Sequence, residues 1–317
     1  MEKTKFVVLL GGLNIEMAFL STIGDLLDGS GWTSFLAEAG VTTPARADAL
    51  LKSSHVKRAR CANTVTRSTL WTLLHQAFDA YREEDQEPLS FEDWCIRQRE
   101  SHPQFDYWYT VWKVELLLLV FVRSLREGNF QLYLSSLSAL DPWFSALDHT
   151  HYSRWLLVHI RDMVTLRARI PDVVEQFSQG KFVVRKTRRP FSALSVDHAH
   201  KQNNAIVKGT AGVTDLMQNP KAMLRWMVAG PEIARAITEF DTNCTMSSKR
   251  GSQQGRHHEH TLSTQTSFAR DMNALVETID SYRNPFEEET SDLLVLDTRD
   301  IVDSKISQSI HDMEKVG

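Results

Sequence analysis

The sequence predicts a mainly α-helical protein that carries a small mixed β-sheet, an α+β fold. From Asn14 to about Pro171, apolar residues recur at helical spacing almost without interruption. Short β-rich runs flank this region, with Phe6–Leu10 before it and Phe182–Val184 and Phe191–Val196 after it. The 317 residues, 42% of them apolar, are enough to bury one large core or two ordinary ones.

The pattern divides the chain into five segments. Residues 1–13 supply one strand of the sheet, residues 14–180 are helical, and residues 181–243 return to the sheet as strand, strand and helix. Residues 244–264 hold almost no large apolar side chain, which is typical of a disordered loop. Residues 265–317 form C-terminal helices with a short strand. Because the first strand has no sequence neighbour until about Lys181, its pairing partners are expected either far downstream or in sequence that this chain does not contain.

Individual helices follow from apolar periodicity and capping residues. Ser90 followed by Asp93 resembles a capping box for a short helix around Trp94. The longest apolar helix is expected at the centre of the core. The predicted helices include Ala45–Lys52, Asn63–Glu84, Phe105–Glu127, Tyr152–Leu166, Phe268–Ile279 and Ile301–Val316, and the predicted C-terminal strand is Leu293–Leu296.

Charge and targeting signals limit the class of protein. Three scattered cysteines without a C-x-x-C motif favour a reducing interior. The apolar run near the N-terminus is shorter than a signal-peptide core, which spans roughly 7–15 residues. The most apolar helix contains Lys113 and Glu115 and is too short to cross a bilayer. We therefore expect an intracellular protein, in the nucleus or cytoplasm, that is neither secreted nor membrane-bound.

A net charge of −4 argues against a uniformly basic nucleic-acid binder, so any contact with DNA would use local patches. Such patches supply sequence-independent affinity for phosphates. The alternative interpretation of a charge run is a solvated turn. The candidate patches consist of Lys57, Arg58 and Arg60, and of Arg185, Lys186, Arg188 and Arg189.

Histidine clusters are the main metal-ligand candidates. Adjacent histidines in a flexible loop lack the rigid support that a zinc site needs. Histidine pairs at element boundaries are equally explained as ordinary polar residues. We therefore expect no metal and no cofactor. The candidates are His257, His258 and His260 in the predicted loop, and His198 and His200 after the second strand.

Several long stretches resemble a known group of proteins. They include LGGLNIEMAFLSTIGDLLDGSGW, KFVVRKTRRPFSALSVDHAHKQNNAIVKG and NPFEEETSDLLVLDTRDI. These stretches resemble a large, mostly uncharacterised family that is spread through invertebrate genomes and derived from transposable elements. That family is similar to transposases with an RNase H-like fold, and the resemblance covers nearly the whole chain.

The resemblance implies an incomplete RNase H-like core, interrupted by a large helical insertion over residues 14–180. Such transposases use acidic residues around two divalent metals. The first strand and its carboxylate are expected upstream of Met1, so the chain is expected to be a fragment. Where an acidic residue and a histidine are expected, the chain reads Gly11-Gly12-Leu13-Asn14. In the expected D-x-A-x-E-Q pattern, Asp197 is present but Lys201 replaces the glutamate.

A lysine at a metal-ligand position repels the metal. The site is therefore expected to be degenerate, with Asp197, Lys201, Asp148 and Asn14 as its remaining candidates. Asp197 is first of all a helix cap, with a relic or a weak metal ligand as alternatives.

The sequence thus predicts a non-enzymatic remnant of a transposase-derived protein, retaining weak DNA or protein binding through its basic turn. One alternative is an active nuclease or transposase that uses Mg²⁺ or Mn²⁺ and requires a missing N-terminal segment. Another is a helical protein-interaction scaffold.

Overall fold

The computed structural model describes residues 7–85, 87–185, 190–207, 262–287 and 290–302, together with a few positions between 221 and 235. Its named elements are α1 (Gly12–Leu27), α2 (Trp32–Glu38), α3 (Pro44–Leu51), α4 (Val56–Glu84), α5 (Phe91–Ser101), α6 (Pro103–Glu127), α7 (Phe130–Ala146), α8 (Thr150–Val164), α9 (Leu166–Arg169), α10 (Pro171–Ser178), β1 (Val183–Arg185), β2 (Ala193–Ser195), α11 (Val196–Val207) and α12 (Leu262–Tyr282).

The prediction of a mainly helical protein with a small sheet is confirmed. The expectation of a mixed sheet is wrong for the described residues, whose only sheet pairs β1 antiparallel with β2. Val183 lies opposite Ser195, and Arg185 lies opposite Ala193. Two antiparallel strands need only a short connection, which residues 186–192 supply.

The prediction of an N-terminal strand at Phe6–Leu10 is wrong for the residues that the structure describes. Residues 7–10 have no regular secondary structure, and α1 begins at Gly12. Val7, Leu9 and Leu10 pack their side chains against the core, while Val8 is 80% exposed. The run is apolar because its side chains cover the core, and its backbone pairs with no strand of the described chain.

The C-terminal predictions also change. Within the predicted strand Leu293–Leu296, only Leu294 pairs, in an isolated bridge with Ile301. Ile301 is therefore not the start of a helix, and residues 303–317 lie outside the described residues. Helix α12 begins at Leu262, inside the predicted loop 244–264, of which residues 244–261 lie outside the described ranges.

Helix α6 is the centre of the core, as its sequence predicts. It packs against α1, α4, α5 and α7. Phe105, Trp108, Val111 and Phe121 are almost completely buried along it. It ends at Gly128, whose φ of 70° is the left-handed conformation that glycine adopts at low cost. None of the helices in the described ranges combines the length and apolar character needed to cross a membrane.

The packing around α6 positions the candidate site. Both α1 and β2 pack against α6, and α1 also packs against α11, which follows β2 directly. The first turns of α1 and α11 therefore meet at one side of the hairpin, although they are far apart in sequence.

Candidate functional site

The carboxylate of Asp197 lies at the N-terminus of α1. Its Oδ1 accepts a hydrogen bond from the Leu13 N–H and its Oδ2 accepts one from the Asn14 N–H, both at 3.1 Å. Oδ1 also accepts the His198 N–H at 3.0 Å, in the first turn of α11. The first backbone N–H groups of a helix have no partner within it, and the helix dipole favours an anion there. Asp197 therefore caps two helices at once.

Two glycines permit this close approach. A Cβ atom on Gly11 would collide with the Asp197 carboxylate, and one on Gly12 would lie 2.8 Å from Ser195 Cβ. A side chain at Gly11 would displace the Asp197 carboxylate, and one at Gly12 would push α1 away from β2. The segment Gly11 to Asn14, where the resemblance implies an acidic residue and a histidine, thus binds the carboxylate of Asp197.

Lys201 and Asn14 complete the surface of this contact. The Lys201 ammonium donates to Asn14 Oδ1 at 3.1 Å and lies 3.8 Å from Met17 Sδ. The Tyr152 hydroxyl donates to the Asn14 carbonyl oxygen at 3.1 Å. The fold therefore brings together Asp197, Lys201 and Asn14, three of the four candidates that the resemblance implies.

The fourth candidate, Asp148, lies in the turn between α7 and α8 with a φ of 56°. Its backbone carbonyl accepts the Thr150 N–H at 2.9 Å. The adjacent His149 bonds to Asp25 at 2.8 Å. Within the described ranges, no three His, Cys, Asp or Glu side chains converge where they could hold a metal ion.

Of the five histidines that were candidate metal ligands, two lie on α11 and three lie outside the described residues. His198 Nε2 lies 3.1 Å from Gln202 Nε2, one turn further along α11. His200 is exposed on the same helix. His257, His258 and His260 lie outside the described residues.

A buried polar pair lies close to Asp197 and has no recognisable sequence signal. The Tyr133 hydroxyl lies 2.9 Å from His159 Nε2, and both side chains are buried. Burial lowers the pKa of His159 to about 4. Burial, followed by the negative charge of Asp197, raises the pKa of Tyr133 and of Tyr152. The sequence places His159 only within the predicted helix Tyr152–Leu166 and gives no signal for its contact with Tyr133.

The two predicted basic patches have different surroundings. In the first, Arg60 Nε donates to Glu16 Oε1 at 2.6 Å, and Glu16 is only 3% exposed. Arg60 therefore neutralises a buried acid, whereas Lys57 and Arg58 are exposed. In the second, Arg185 is exposed at the end of β1. Lys186, Arg188 and Arg189 lie outside the described residues.

The comparisons with known proteins identify a family without assigning an activity. Residues 88–317 match a family model described as Domain of unknown function (DUF8702). No curated protein and no solved structure matches the chain. The match begins after α4, so the Asp197 contact joins α11 inside the matched region to α1 outside it. The chain belongs to the DUF8702 family.

Proposed function

We propose that this chain is a non-enzymatic protein of transposase-derived lineage that binds nucleic-acid phosphates through its β1–β2 hairpin. Its β2–α11 step would then descend from the strand and helix that carry the last carboxylate of an RNase H-like core. One observation carries the proposal. The carboxylate in the implied catalytic position is bonded to backbone N–H groups of α1 and α11.

These bonds oppose catalytic use of Asp197. A carboxylate offers about four lone-pair directions, and three backbone donors already engage it. Bidentate metal coordination needs two of these directions, so it would have to displace at least one of the backbone donors. The Lys201 ammonium on the neighbouring Asn14 adds a positive charge that opposes a bound cation.

The basic hairpin supports the binding part of the proposal. Arg185 is exposed on β1, and the connection to β2 adds Lys186, Arg188 and Arg189 in sequence. Four cations within five positions give a concentrated charge on a chain whose net charge is −4. Such a concentration of cations in the sequence suits the phosphate backbone of a nucleic acid.

Duplex DNA titrated at 50 and 200 mM salt tests this binding. Four phosphate contacts predict an affinity loss on the order of 100-fold between these conditions. Replacing Arg185, Lys186, Arg188 and Arg189 by Ala should abolish the salt-dependent binding. Replacing Lys57 and Arg58 by Ala is the control, and should change the affinity much less. Affinity that does not depend on salt would contradict the proposal.

A nuclease assay tests the non-enzymatic part separately. The full chain is incubated with duplex DNA in the presence of Mg²⁺ or Mn²⁺, and no strand cleavage is expected. Cleavage that disappears in Asp197→Asn would establish the alternative of an active metal-dependent nuclease.

A protein-interaction scaffold is the second candidate, favoured by the exposed face of α8. Trp155, Leu157 and Val164 are 56%, 55% and 63% exposed. Arg154 and Arg161 lie exposed between them, so the face suits an acidic amphipathic helix. A synthetic acidic amphipathic peptide should bind the wild type and should bind Leu157→Gln more weakly. Equal binding of a charge-reversed peptide would exclude this candidate.

A further inference from the structure

A groove with a volume of ≈ 360 Å³ lies between the start of α7 and the segment formed by the end of α8, α9 and α10. All of its lining residues belong to the described ranges. They are Asn129, Phe130, Gln131, Leu134, Met163, Val164, Arg167, Val174 and Ser178. Pockets that hold small molecules typically measure roughly 300–1,000 Å³. The size of the groove therefore suits a small ligand.

The deeper part of the groove is apolar. Phe130 and Met163 are only 6% and 3% exposed and line it from α7 and α8. Leu134 and Val174 are partly buried and pack against the core. Val164 is 63% exposed and stands at the rim. A ligand that covers these side chains removes apolar surface from water, which favours a ligand with an apolar body.

The single charge in the lining is the guanidinium of Arg167. This side chain is exposed in α9 and forms no ion pair with any residue of the described chain. The neighbouring Arg161 and Arg169 differ, because both contact the Asp162 carboxylate, at 3.0 and 3.8 Å. The Arg167 guanidinium therefore keeps its N–H donors available to a ligand at the edge of the groove.

The other polar groups of the lining carry no charge. Asn129 caps α7 through its Oδ1, which accepts the Leu132 N–H at 3.0 Å, so its amide nitrogen remains a donor. Gln131 is exposed in the first turn of α7, where the helix dipole favours an anion. The Ser178 hydroxyl donates to the Val174 carbonyl oxygen at 2.9 Å. The groove thus combines an apolar interior with an edge that favours a negative charge.

We propose that this groove binds an amphipathic carboxylate, a single carboxyl group attached to an apolar chain. A guanidinium binds a carboxylate through two parallel hydrogen bonds, and one such pair neutralises one negative charge. The apolar chain then covers Phe130 and Met163. A nucleic-acid strand is a poor match, because it needs several cations and this lining offers only Arg167. The groove is separate from the β1–β2 hairpin, none of whose described residues lines it.

Isothermal titration calorimetry with three probes tests the site. Octanoate has both required parts, octanol lacks the charge, and acetate lacks the apolar chain. Octanoate should bind at least about tenfold more tightly than octanol, because hydrogen bonds to charged groups are the strong ones. Acetate should not bind at the same concentrations, because an exposed ion pair contributes little by itself. Octanol or acetate that binds as tightly as octanoate would overturn the proposal.

Four single variants locate the binding. Arg167→Gln should reduce the affinity for octanoate to that for octanol and leave octanol binding unchanged. Val164→Gln should weaken the binding of both ligands. The matched controls are Arg169→Gln, whose arginine is paired with Asp162, and Leu157→Gln, whose leucine is 55% exposed elsewhere on α8.

Both controls should bind octanoate as the wild type does. All four positions are exposed, so circular dichroism spectra should match that of the wild type. An equal loss in Arg167→Gln and Arg169→Gln would show that the cation is not specific. An equal loss in Val164→Gln and Leu157→Gln would show that octanoate binds the exposed face of α8. Either result would contradict the groove as the binding site.

Discussion

Asp197 and Glu115 are two carboxylates in opposite environments. Asp197 stands at the meeting point of two helix N-termini and accepts three backbone N–H groups. Glu115 lies in the middle of α6, is 1% exposed, and neither of its oxygens has a hydrogen-bond partner within the described chain. A helix start offers free donors, whereas the backbone in the middle of a helix is already bonded.

The Glu115 environment has a direct consequence for the charge of that side chain. Burial raises the pKa of Glu115 well above its usual range, and the positive charge of Arg67 only partly opposes this shift. Glu115 is therefore stable in the fold as a neutral acid. Burial without a hydrogen-bond donor therefore makes the neutral form of Glu115 the one that the fold favours.

The largest expected effect is the acid sensitivity that the buried His159 causes. His159 has a folded pKa of about 4, against an ordinary value of 6.5. Between these values the unfolded chain binds a proton that the folded chain does not, so stability falls as the pH falls from 6.5 to 4. The total loss is about 3 kcal/mol. Urea denaturation of the wild type and of His159→Gln across this range should show a shallower decline in the variant.

Replacing His200 by Gln provides the control, because His200 is exposed on α11. That variant should follow the wild-type pH dependence. An unchanged slope in His159→Gln would show that other groups cause the acid sensitivity.

Removing the cap of α1 should have the next largest effect. In Asp197→Ala, the N–H groups of Leu13, Asn14 and His198 lose their acceptor. The expected cost is about 2 kcal/mol in the free energy of unfolding, since caps contribute about 1 kcal/mol and bonds to charged groups contribute more. Urea denaturation at pH 7 measures it. Asp197→Asn retains one acceptor oxygen and should cost less. A loss below about 0.5 kcal/mol for Asp197→Ala would refute the capping role.

Glu115 should have the opposite pH dependence to His159: its contribution to the free energy of unfolding declines as the pH rises. Its folded pKa is raised, so its contribution to stability is complete below the unfolded value of 4.5 and declines as the pH rises above it. Glu115→Gln removes this decline. The variant should match the wild type at about pH 4 and be more stable by about 1 kcal/mol or more at pH 8. Thermal melts at both pH values test this, with the exposed Glu100→Gln as control. A destabilised Glu115→Gln at pH 8 would show that the ionised pair with Arg67 stabilises the fold.

The smallest expected effect is the coupling between Gly11 and Asp197. Gly11→Ala forces the Asp197 carboxylate to move, because the new Cβ occupies its position. The substitution should cost about 1 kcal/mol in the wild type and much less in Asp197→Ala, because the collision is then absent. A double-mutant cycle by urea denaturation measures the difference. Equal costs in both backgrounds would mean that Gly11 acts through backbone conformation alone.

The family boundary divides one core. Helices α1 to α4 precede the matched residues 88–317, yet α1 and α4 pack against α6. The Tyr107 hydroxyl donates to the Leu26 carbonyl at 2.7 Å, and Asn284 Nδ2 donates to the Leu73 carbonyl at 2.9 Å. The folding unit therefore extends into the N-terminal helices, beyond the part of the chain that defines the family.

Local sequence patterns predicted most of the helices and identified the residues of the candidate site, but not the partners of those residues. Apolar spacing placed α6 at the centre, and Ser90 caps α5 by accepting the Asp93 N–H at 3.2 Å, as its motif predicts. Apolar spacing did not distinguish residues 7–10 from a strand, because a continuous apolar run fits a strand as well as a covering segment. Likewise, the sequence placed Arg60 in a basic patch, while its partner Glu16 lies on another helix.

The sequence by itself determined the residue types at this contact: an aspartate and a lysine in the first turns of α11, and two glycines far upstream at the start of α1. Only the tertiary structure decided that these residues contact one another. Asp197 and Leu13 are 184 positions apart, and no local propensity joins them. Packing of α1 and β2 on α6 brings unpaired N–H groups to a carboxylate, and glycine lets them meet. A helix cap is a local expectation, but a cap shared between two helices follows only from the way they pack.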